Sequence, residues 1–357
     1  MPIIKLQPFC KTALWGGNEL KYRFDKHFHN QRLAETWELS CHPNGESIIA
    51  NGPFAGQTLR TFLMQSDKNL LGENCRDMHD FPLLIKWIDA AQPLSVQVHP
   101  NDTVAHENGE KSGKSEMWYI LSCRKGAYIY YGLRKSVTKE TLKQALYQGT
   151  ITSLLQKIPV CPGDVFYIPG GTIHAIGGGI LLAEIQQNSD ITYRLYDYDR
   201  REKDGSPRPL HLASALKASD YTPTPLPVQH KHTSGETLVA CPYFDVIFAQ
   251  APYTAVSDSS SFVSILIIQG HGVLSCQGET MPFCPGDSLF LSANSGTFSI
   301  DRAEERFEMH NCRNTSTNTT PANNGAPAND IHAEVQALIT RVPHRKKNGT
   351  TQRSHRK

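Results

Sequence analysis

The stretch Cys161-Pro-Gly-Asp-Val-Phe-Tyr-Ile-Pro-Gly-Gly-Thr-Ile-His174 decides the fold, because it sets a short apolar strand between two tight turns and ends on a histidine. Its first part recurs about 120 residues later as Cys284-Pro-Gly-Asp287, followed by the apolar segment Ser-Leu-Phe-Leu-Ser. The second copy continues through residues 293–298 without a metal-ligand side chain. Two copies of one turn-strand unit predict a duplicated β structure, with an active first half and a structural second half.

Outside this repeat, short apolar segments alternate with turns rich in Gly, Pro, Asn and Asp. The predicted strands cover residues 94–99, 116–121, 128–132, 164–168, 181–186, 263–268 and 288–291. Helical periodicity is local, at residues 56–65 and in two segments of residues 137–157. The fold class predicted is therefore mainly β, an antiparallel sandwich or barrel with a few short helices.

Composition limits the class of protein. The chain has 357 residues, of which 39% are hydrophobic and 20% charged, which excludes collagen-like, fully disordered and membrane-spanning classes. The longest apolar run, residues 262–268, is too short to cross a bilayer. The first ten residues show no basic region leading into an apolar stretch, so no secretory signal is predicted and a cytoplasmic location is expected. Nine scattered cysteines, with no C-x-x-C pair, are typical of reduced thiols.

The charge is divided unevenly. Seven of the 36 basic residues, and none of the 34 acidic ones, lie in residues 341–357, so the rest of the chain is acidic overall. A basic tail on an acidic body does not predict a nucleic-acid-binding domain. Residues 311–329 have linker composition, and residues 329–342 carry apolar residues at helical spacing. We expect a first domain at 1–230, a second at 231–312, and a polar linker with a basic tail at 313–357.

Two segments offer ligands to a metal. In residues 92–100, Ser95, Gln97 and His99 alternate with aliphatic side chains, so they share one face of a strand. In residues 113–121, Lys114 and Glu116 share a face, and a glutamate in so apolar a strand must be solvated, paired or bound to metal. Taken singly, each has an ordinary explanation in an exposed polar face.

The spacing from Gly163 through Pro169 and Gly171 to His174 is more specific, since turn residues and a ligand residue coincide. It resembles the second signature of the cupin superfamily, small β-barrels that bind a divalent metal. The predicted ligands are Gln97, His99, Glu116 and His174. Two nitrogen and two oxygen donors suit Zn²⁺, with Fe²⁺ and Mn²⁺ as competitors.

A narrower resemblance covers residues 1 to about 312. The runs at 93–100 (Pro-Leu-Ser-Val-Gln-Val-His-Pro), 113–116 (Gly-Lys-Ser-Glu) and 188–194 (Asn-Ser-Asp-Ile-Thr-Tyr-Arg) are similar to those of the type I mannose-6-phosphate isomerase family in its short bacterial form. So are Leu-Gln-Pro-Phe at 6–9 and Leu-Trp-Gly-Gly at 14–17. The resemblance implies a double-cupin fold, one zinc ion in the first barrel and interconversion of the sugar phosphates mannose 6-phosphate and fructose 6-phosphate.

The resemblance also implies roles for individual residues. The metal ligands fall on the four residues named above, the catalytic arginine on Arg194, and phosphate contacts on Ser95 and Arg200. The remaining implied active-site residues are Asp190, the proton-moving Glu184, and the pocket lysines Lys86 and Lys114. Ordinary structural roles stay open for three of these: an Asp190–Arg194 ion pair, a snorkelling Lys86, and a hydrogen-bonding Glu184.

Two residues are candidates for the group that transfers the proton between the two carbons. Glu184 suits the task if burial raises its pKa, and Lys86 suits it if burial or neighbouring cations lower its pKa. The rival functions are a non-catalytic sugar-binding double cupin and an iron-dependent dioxygenase. We expect a monomer or a weak homo-oligomer.

Overall fold

The computed structural model describes residues 3–29, 31–202, 204–303 and 333–344, and this part of the chain is mainly β. Its α-helices are α1 (Glu19–Phe24), α2 (Leu59–Gln65), α3 (Asp102–Glu107), α4 (Lys139–Tyr147) and α5 (Leu212–Ala218). Short 3-10 helices lie at Gly52–Phe54, Lys68–Leu71, Glu73–Cys75 and Ile151–Leu154. The strands of the first half are β1 (Ile3–Gln7), β2 (Phe9–Lys11), β3 (Glu35–Leu39), β4 (Cys41–His42), β5 (Gly45–Glu46), β6 (Ile48–Ile49), β7 (Leu83–Ala90), β8 (Val96–Val98), β9 (Glu116–Cys123), β10 (Tyr128–Leu133), β11 (Leu155–Pro159), β12 (Val165–Ile168), β13 (His174–Ile176), β14 (Ile180–Gln187) and β15 (Tyr193–Tyr196). Those of the second half are β16 (Thr237–Ala240), β17 (Asp245–Gln250), β18 (Tyr253–Ser257), β19 (Val263–Gln269), β20 (Gly272–Cys276), β21 (Glu279–Phe283), β22 (Ser288–Leu291), β23 (Gly296–Arg302) and β24 (Gln336–Arg341).

The first barrel is built from two antiparallel sheets. A six-stranded sheet has the order β12-β9-β14-β7-β3-β2, and a five-stranded sheet has the order β11-β10-β13-β8-β15. Apolar side chains of both sheets meet between them, among them Trp118 and Leu182 from the first and Ile129 and Ile176 from the second. This apolar cluster fills part of the space between the two sheets.

Helices cover the outer face of the five-stranded sheet. Val96 and Val98, on strand β8, pack there against Leu142 of α4 and Leu216 of α5. Because neighbouring residues of a strand point to opposite faces, Gln97 is directed into the barrel. The predicted alternation holds from Val96 to His99 and places Gln97 and His99 inside, but Leu94 packs with Trp118 and Ile129 in the interior cluster and not with Val96 and Val98 on the outer face.

The second barrel pairs a seven-stranded sheet, in the order β16-β17-β24-β19-β22-β1-β6, with a four-stranded sheet in the order β18-β23-β20-β21. The two barrels pack sheet against sheet, with Ile85 and Ile185 of the first contacting a cluster that includes Phe248, Leu266 and Phe290 of the second. The prediction of a mainly β double cupin is confirmed.

The repeated turn has the same geometry in both halves. Asp164 accepts the backbone N–H of Cys161 at 2.8 Å, and Asp287 accepts that of Cys284 at 2.7 Å. Gly163 and Gly286 have φ of 93° and 87°, a region that only glycine adopts without strain. Each turn is followed by the predicted strand, β12 in the first barrel and β22 in the second.

The strands expected at residues 94–99, 116–121, 128–132, 164–168, 181–186, 263–268 and 288–291 are all present, as β8, β9, β10, β12, β14, β19 and β22. The helix expected at residues 56–65 is α2. Its N-cap is Thr58, whose side chain accepts the backbone N–H of Thr61. In residues 137–157 only the first segment is an α-helix, because the second becomes a 3-10 turn that leads into β11.

The helix predicted at residues 329–342 is wrong, because residues 336–341 form strand β24. The strand lies between β17 and β19, with Leu338 opposite both Phe248 and Leu266, so sheet pairing overrides helical spacing in so apolar a segment. The expectation of a polar linker with a basic tail over all of 313–357 is wrong for residues 336–341, which form part of the seven-stranded sheet. The predicted linker at 311–329 and the tail from 345 onward lie outside the described residues.

Two other expectations can be compared with the structure. Of the cysteines in the described residues, seven are free thiols and Cys284 is disulfide-bonded, so the expectation of reduced thiols throughout is wrong at that position. Among the described helices, none has both the length and the apolar character needed to cross a bilayer.

Candidate metal centre

A row of polar side chains crosses the five-stranded sheet on its inner face. Arg194 on β15 lies opposite Gln97 on β8, and Gln97 lies opposite His174 on β13. Residues directly opposite one another in antiparallel strands share a face, so all three side chains point into the barrel. The strand register thus brings together residues that are up to 97 positions apart in the sequence.

Three of the four predicted ligands converge on one point. Nε2 of His99 lies 3.4 Å from Oε2 of Glu116, and Nε2 of His174 lies 3.4 Å from Oε1 of the same carboxylate. All three residues are buried, and their ligand atoms lie within 4.8 Å of one another. Tetrahedral coordination with bonds of about 2.0–2.1 Å separates ligand atoms by about 3.3 Å, so the spacing fits one metal ion.

Both imidazoles are oriented for ligation by backbone carbonyls. Nδ1 of His99 donates to the carbonyl oxygen of Ile191 at 2.7 Å, and Nδ1 of His174 donates to that of Thr172 at 2.9 Å. These bonds keep the proton on Nδ1 and leave the Nε2 lone pair facing the centre. Burial lowers the pKa of His174 to about 4 and that of His99 well below its usual value, so both rings are neutral.

The Glu116 carboxylate lacks enough protein partners for its charge. It is fully buried, and its Oε1 accepts no hydrogen bond from the described residues. Burial raises its pKa to about 7, although Lys114 opposes this shift. The Lys114 ammonium contacts Oε2 of Glu116 and lies 3.0 Å from Nε2 of His99. A positively charged group therefore lies against two of the ligand atoms. A divalent cation fits this donor set.

Gln97, the fourth predicted ligand, stands at the edge of the centre. Its amide nitrogen lies 3.4 Å from Nε2 of His174, while its Oε1 accepts a hydrogen bond of 3.3 Å from Ser95. A half-turn of the amide exchanges these two atoms and directs the oxygen to the same position. Ser95 itself is buried beside Gln97.

A buried ion pair lies on the inner face of the opposite sheet. Lys86 and Glu184 are register partners on β7 and β14, with Nζ 3.0 Å from Oε2. Lys86 also lies 3.5 Å from a Glu35 oxygen and 5.2 Å from the ring centre of Trp37, and it is buried. Snorkelling is therefore the wrong interpretation of Lys86. Glu184 additionally accepts the indole N–H of Trp118 at 3.1 Å.

A proton shuttle at neutral pH was expected to need a raised pKa at Glu184 or a lowered pKa at Lys86, and both shifts have the opposite direction. Burial favours the neutral form of each group, but the opposite charge of the partner outweighs it. Lys114 and Lys86 lower the pKa of Glu184 to about 2, and Glu184 and Glu35 raise the pKa of Lys86. At neutral pH the pair is a carboxylate and an ammonium.

Asp190 contacts residues that the sequence did not single out. Its Oδ2 accepts a hydrogen bond of 2.7 Å from Asn44, and its Oδ1 lies 3.5 Å from Nε2 of His42. Among the described residues it forms no ion pair with Arg194, so that alternative is wrong. His42 packs edge-on against Trp37, and burial lowers its pKa. The available signal was a histidine directly before the turn residues Pro-Asn-Gly at 43–45.

A cluster of arginines surrounds Asp197. Arg200 contacts Asp197 and donates to the carbonyl oxygen of Pro93 at 2.5 Å. Arg208 donates to both carboxylate oxygens of Asp197, at 2.7 and 2.5 Å. Arg194 lies close enough that Arg208 and Arg200 contribute, after burial, to lowering its pKa. Three guanidinium groups around one carboxylate leave positive charge for an anion such as a phosphate.

The fold and the site define a double cupin with one internal metal centre beside a cationic cluster. The model of the family "Phosphomannose isomerase type I, catalytic domain" matches residues 3–125, and "Mannose-6-phosphate isomerase, cupin domain" matches residues 235–308. Mannose-6-phosphate isomerase ManA of Bacillus subtilis is 40% identical over 312 residues, covering 85% of this chain and 97% of that protein. The chain belongs to the type I mannose-6-phosphate isomerase family, as the motifs predicted.

Solved structures agree with this placement. The mannose 6-phosphate isomerase of Bacillus subtilis aligns with a TM-score of 0.79 and 32% identity, covering 95% of this chain and 99% of that one. A zinc-bound mannose 6-phosphate isomerase aligns with a TM-score of 0.68 over 96% of this chain and all of its own, at 16% identity, which supports the fold alone. The predictions of the family and of an enzyme are confirmed.

Proposed function

We propose that the chain is a metal-dependent aldose–ketose isomerase that interconverts mannose 6-phosphate and fructose 6-phosphate. The single observation that carries the proposal is the buried His99–Glu116–His174 centre, with its ligand atoms at tetrahedral spacing, inside a barrel that also holds a buried ion pair. The names of the relatives supply the substrate class. A cytoplasmic location and a monomer or weak homo-oligomer complete the proposal.

The metal proposed is Zn²⁺, held by His99, Glu116 and His174 with Gln97 as the fourth ligand. Imidazole and carboxylate donors suit zinc, and a solved neighbour of the same fold is zinc-bound. When bound, the ion supplies Lewis-acid stabilisation of the negative charge that develops on the sugar oxygens. Lys114 adds a fixed positive charge beside the ligands.

Arg194 is proposed as the second source of electrostatic stabilisation. It shares a row with Gln97 and His174, and its Nε has no hydrogen-bond partner among the described residues. A guanidinium so placed can donate to an oxygen of the enediolate without reorganising. Its Nη1 is fixed by the carbonyl oxygen of Pro209 at 2.8 Å.

The phosphate is proposed to bind at the cluster around Asp197. The resemblance suggested Ser95 and Arg200, and we add Arg208 as a further phosphate ligand, because it shares Asp197 with Arg200. The guanidinium groups present several N–H donors, and a phosphate dianion suits them better than one shared carboxylate does.

Glu184 is proposed as the group that moves the proton between the two carbons. Of the two candidates, Glu184 is unprotonated at neutral pH and Lys86 is protonated, so only Glu184 can accept a proton there. Its lowered pKa makes it a weak base, which must act on a carbon acid that the bound metal has made more acidic. Lys86 then serves as its fixed counter-ion. His42, an imidazole with a lowered pKa beside Asp190, is the second candidate. We propose Asp190 as the residue that orients His42.

The experiment is a direct assay of the purified, zinc-loaded protein with mannose 6-phosphate, following fructose 6-phosphate. We expect turnover that a chelator abolishes and added Zn²⁺ restores, and no turnover with unphosphorylated mannose. Absence of turnover at full metal occupancy would refute the isomerase and favour the sugar-binding double cupin. Oxygen consumption dependent on Fe²⁺ would instead support the dioxygenase.

A further inference from the structure

A second group of metal-ligand side chains lies outside the centre described above. His230, His232 and Glu236 lie in the segment that leads into the second barrel, directly before β16. Nε2 of His230 lies 2.6 Å from Oε1 of Glu236, and Nδ1 of His232 lies 3.3 Å from the same oxygen. We propose that these three residues bind a second transition-metal ion of the Zn²⁺ type.

The hydrogen bond of His232 to the first barrel determines its tautomer. Its Nε2 lies 2.8 Å from the carbonyl oxygen of Gly163, in the Cys161–Asp164 turn. A carbonyl oxygen only accepts, so Nε2 carries the proton and a neutral ring presents a lone pair on Nδ1. That lone pair faces a carboxylate oxygen, and two acceptors at this distance need a positive charge between them. Either a proton or a metal ion supplies it, and the ring is oriented as ligating histidines are.

Glu236 is held in position by its own segment. Its Oε2 accepts the backbone N–H of Thr233 at 2.9 Å, which leaves Oε1 for the two imidazoles. The histidine-x-histidine-x₃-glutamate spacing therefore presents two nitrogen donors and one anionic oxygen on one side of a turn.

The distances suit a metal with a small adjustment. The separation between Nδ1 of His232 and Oε1 of Glu236, 3.3 Å, equals the separation of about 3.3 Å expected between tetrahedral ligands of zinc. The His230 distance of 2.6 Å is shorter, but this side chain is 56% exposed and can move outward. His232 is fixed instead, since its ring packs near those of Tyr119 and Phe248. In such a site the three protein side chains would supply three ligands, and a water molecule would supply the fourth.

The site joins the two barrels. Gln229, one residue before the cluster, exchanges two hydrogen bonds with the backbone of Val165 on β12, at 2.9 and 2.8 Å. Within the cluster, Gly235, one residue before Glu236, donates its backbone N–H to the carbonyl oxygen of Phe248 on β17 of the second barrel. A bound ion would thus fix the connector between a turn of the first barrel and a strand of the second.

The test is the number of Zn²⁺ ions bound per chain after dialysis against buffered Zn²⁺, measured by metal analysis. We expect two ions in the wild type, and one ion in His230→Ala and in Glu236→Gln, the latter keeping an oxygen that can accept the Thr233 N–H. The matched control is His27→Ala, which removes another exposed histidine that lies 2.5 Å from a single carboxylate, Asp25. It should still bind two ions.

A further variant separates this proposal from the proposed function. Glu116→Ala should lose the ion of the catalytic centre and keep the second one, and His230→Ala should keep isomerase activity while losing the gain in melting temperature that excess Zn²⁺ gives the wild type. One ion in the wild type, or two in His230→Ala, would overturn the second site. In the first case a proton alone bridges His232 and Glu236.

Discussion

Separating the buried pair of Lys86 and Glu184 should cost much more stability than separating an exposed pair. The two charges are 3.0 Å apart, and each side chain is about 95% buried, at 6% and 5% exposure. Replacing Lys86 with Met leaves a buried carboxylate, and replacing Glu184 with Gln leaves a buried ammonium. Breaking a buried pair from one side typically costs about 3–5 kcal/mol, because the remaining charge is desolvated without that partner. Glu35, 3.5 Å from Lys86, and Lys114, which also lowers the pKa of Glu184, reduce this cost.

The coupling energy follows from the lowered pKa of Glu184. A fall from 4.5 to about 2 corresponds to about 3 kcal/mol in favour of the ionised folded form. This is a net value, since burial opposes the attraction of Lys114 and Lys86, so we expect a coupling of about 2 kcal/mol or more between Lys86 and Glu184. Because the folded-state pKa is depressed, this stabilisation is complete above pH 4.5 and is lost as the pH falls towards 2.

Urea denaturation of the zinc-loaded wild type, Lys86→Met, Glu184→Gln and the double variant at pH 7 measures this coupling as a double-mutant cycle. The control is the same cycle on Lys111 and Asp80, an ion pair at 2.7 Å whose side chains are 81% and 42% exposed. That pair should show coupling close to zero. If both cycles gave the same coupling energy, the argument from burial would be wrong.

Three further predictions concern the site and the fold. Glu116→Gln should lose its metal and its isomerase activity together. Arg194→Ala should keep its metal, and its kcat should fall by about 10²–10³-fold. Metal analysis and steady-state kinetics measure both variants. Arg208→Gln should raise KM for mannose 6-phosphate about tenfold or more, since a charge-assisted hydrogen bond contributes about 1.5–3 kcal/mol. Leu338→Ala should lower the free energy of unfolding by about 2–5 kcal/mol in urea, while Val228→Ala, at an 86% exposed position, should leave it unchanged.

Each of these has an outcome that contradicts it. Release of metal by Arg194→Ala would make that residue part of the metal centre. An unchanged KM in Arg208→Gln would place the phosphate elsewhere. A wild-type urea midpoint for Leu338→Ala would mean that β24 contributes little to the second barrel.

Much of the metal centre could be predicted from local pattern. The period of two in residues 94–99 directs Gln97 and His99 to one face, and the Gly163-to-His174 turn delivers the second histidine. These are short-range properties of the backbone, since turn residues and side-chain alternation depend only on neighbouring residues. The same holds for the repeated Cys-Pro-Gly-Asp turn, whose glycine conformation and capping aspartate recur in both barrels.

Only the tertiary structure shows which charged residues pair when they are far apart in the sequence. Whether Lys86 meets solvent or Glu184 depends on the register of β7 and β14, and nothing in either strand specifies the other. Arg208 became a candidate ligand only when Asp197 was seen to hold it next to Arg200.

The sequence by itself predicted which polar side chains of residues 96–99 share a face, where the turns lie and which residues are candidate metal ligands, because those features follow from local backbone geometry. The tertiary structure decided that residues 336–341 form a central strand instead of a helix. The apolar pattern of this segment is compatible with either element, and the strand forms because it pairs with both β17 and β19. It also decided the charge states of Lys86 and Glu184, because burial and ion pairing act oppositely on a pKa and only the distances show which prevails.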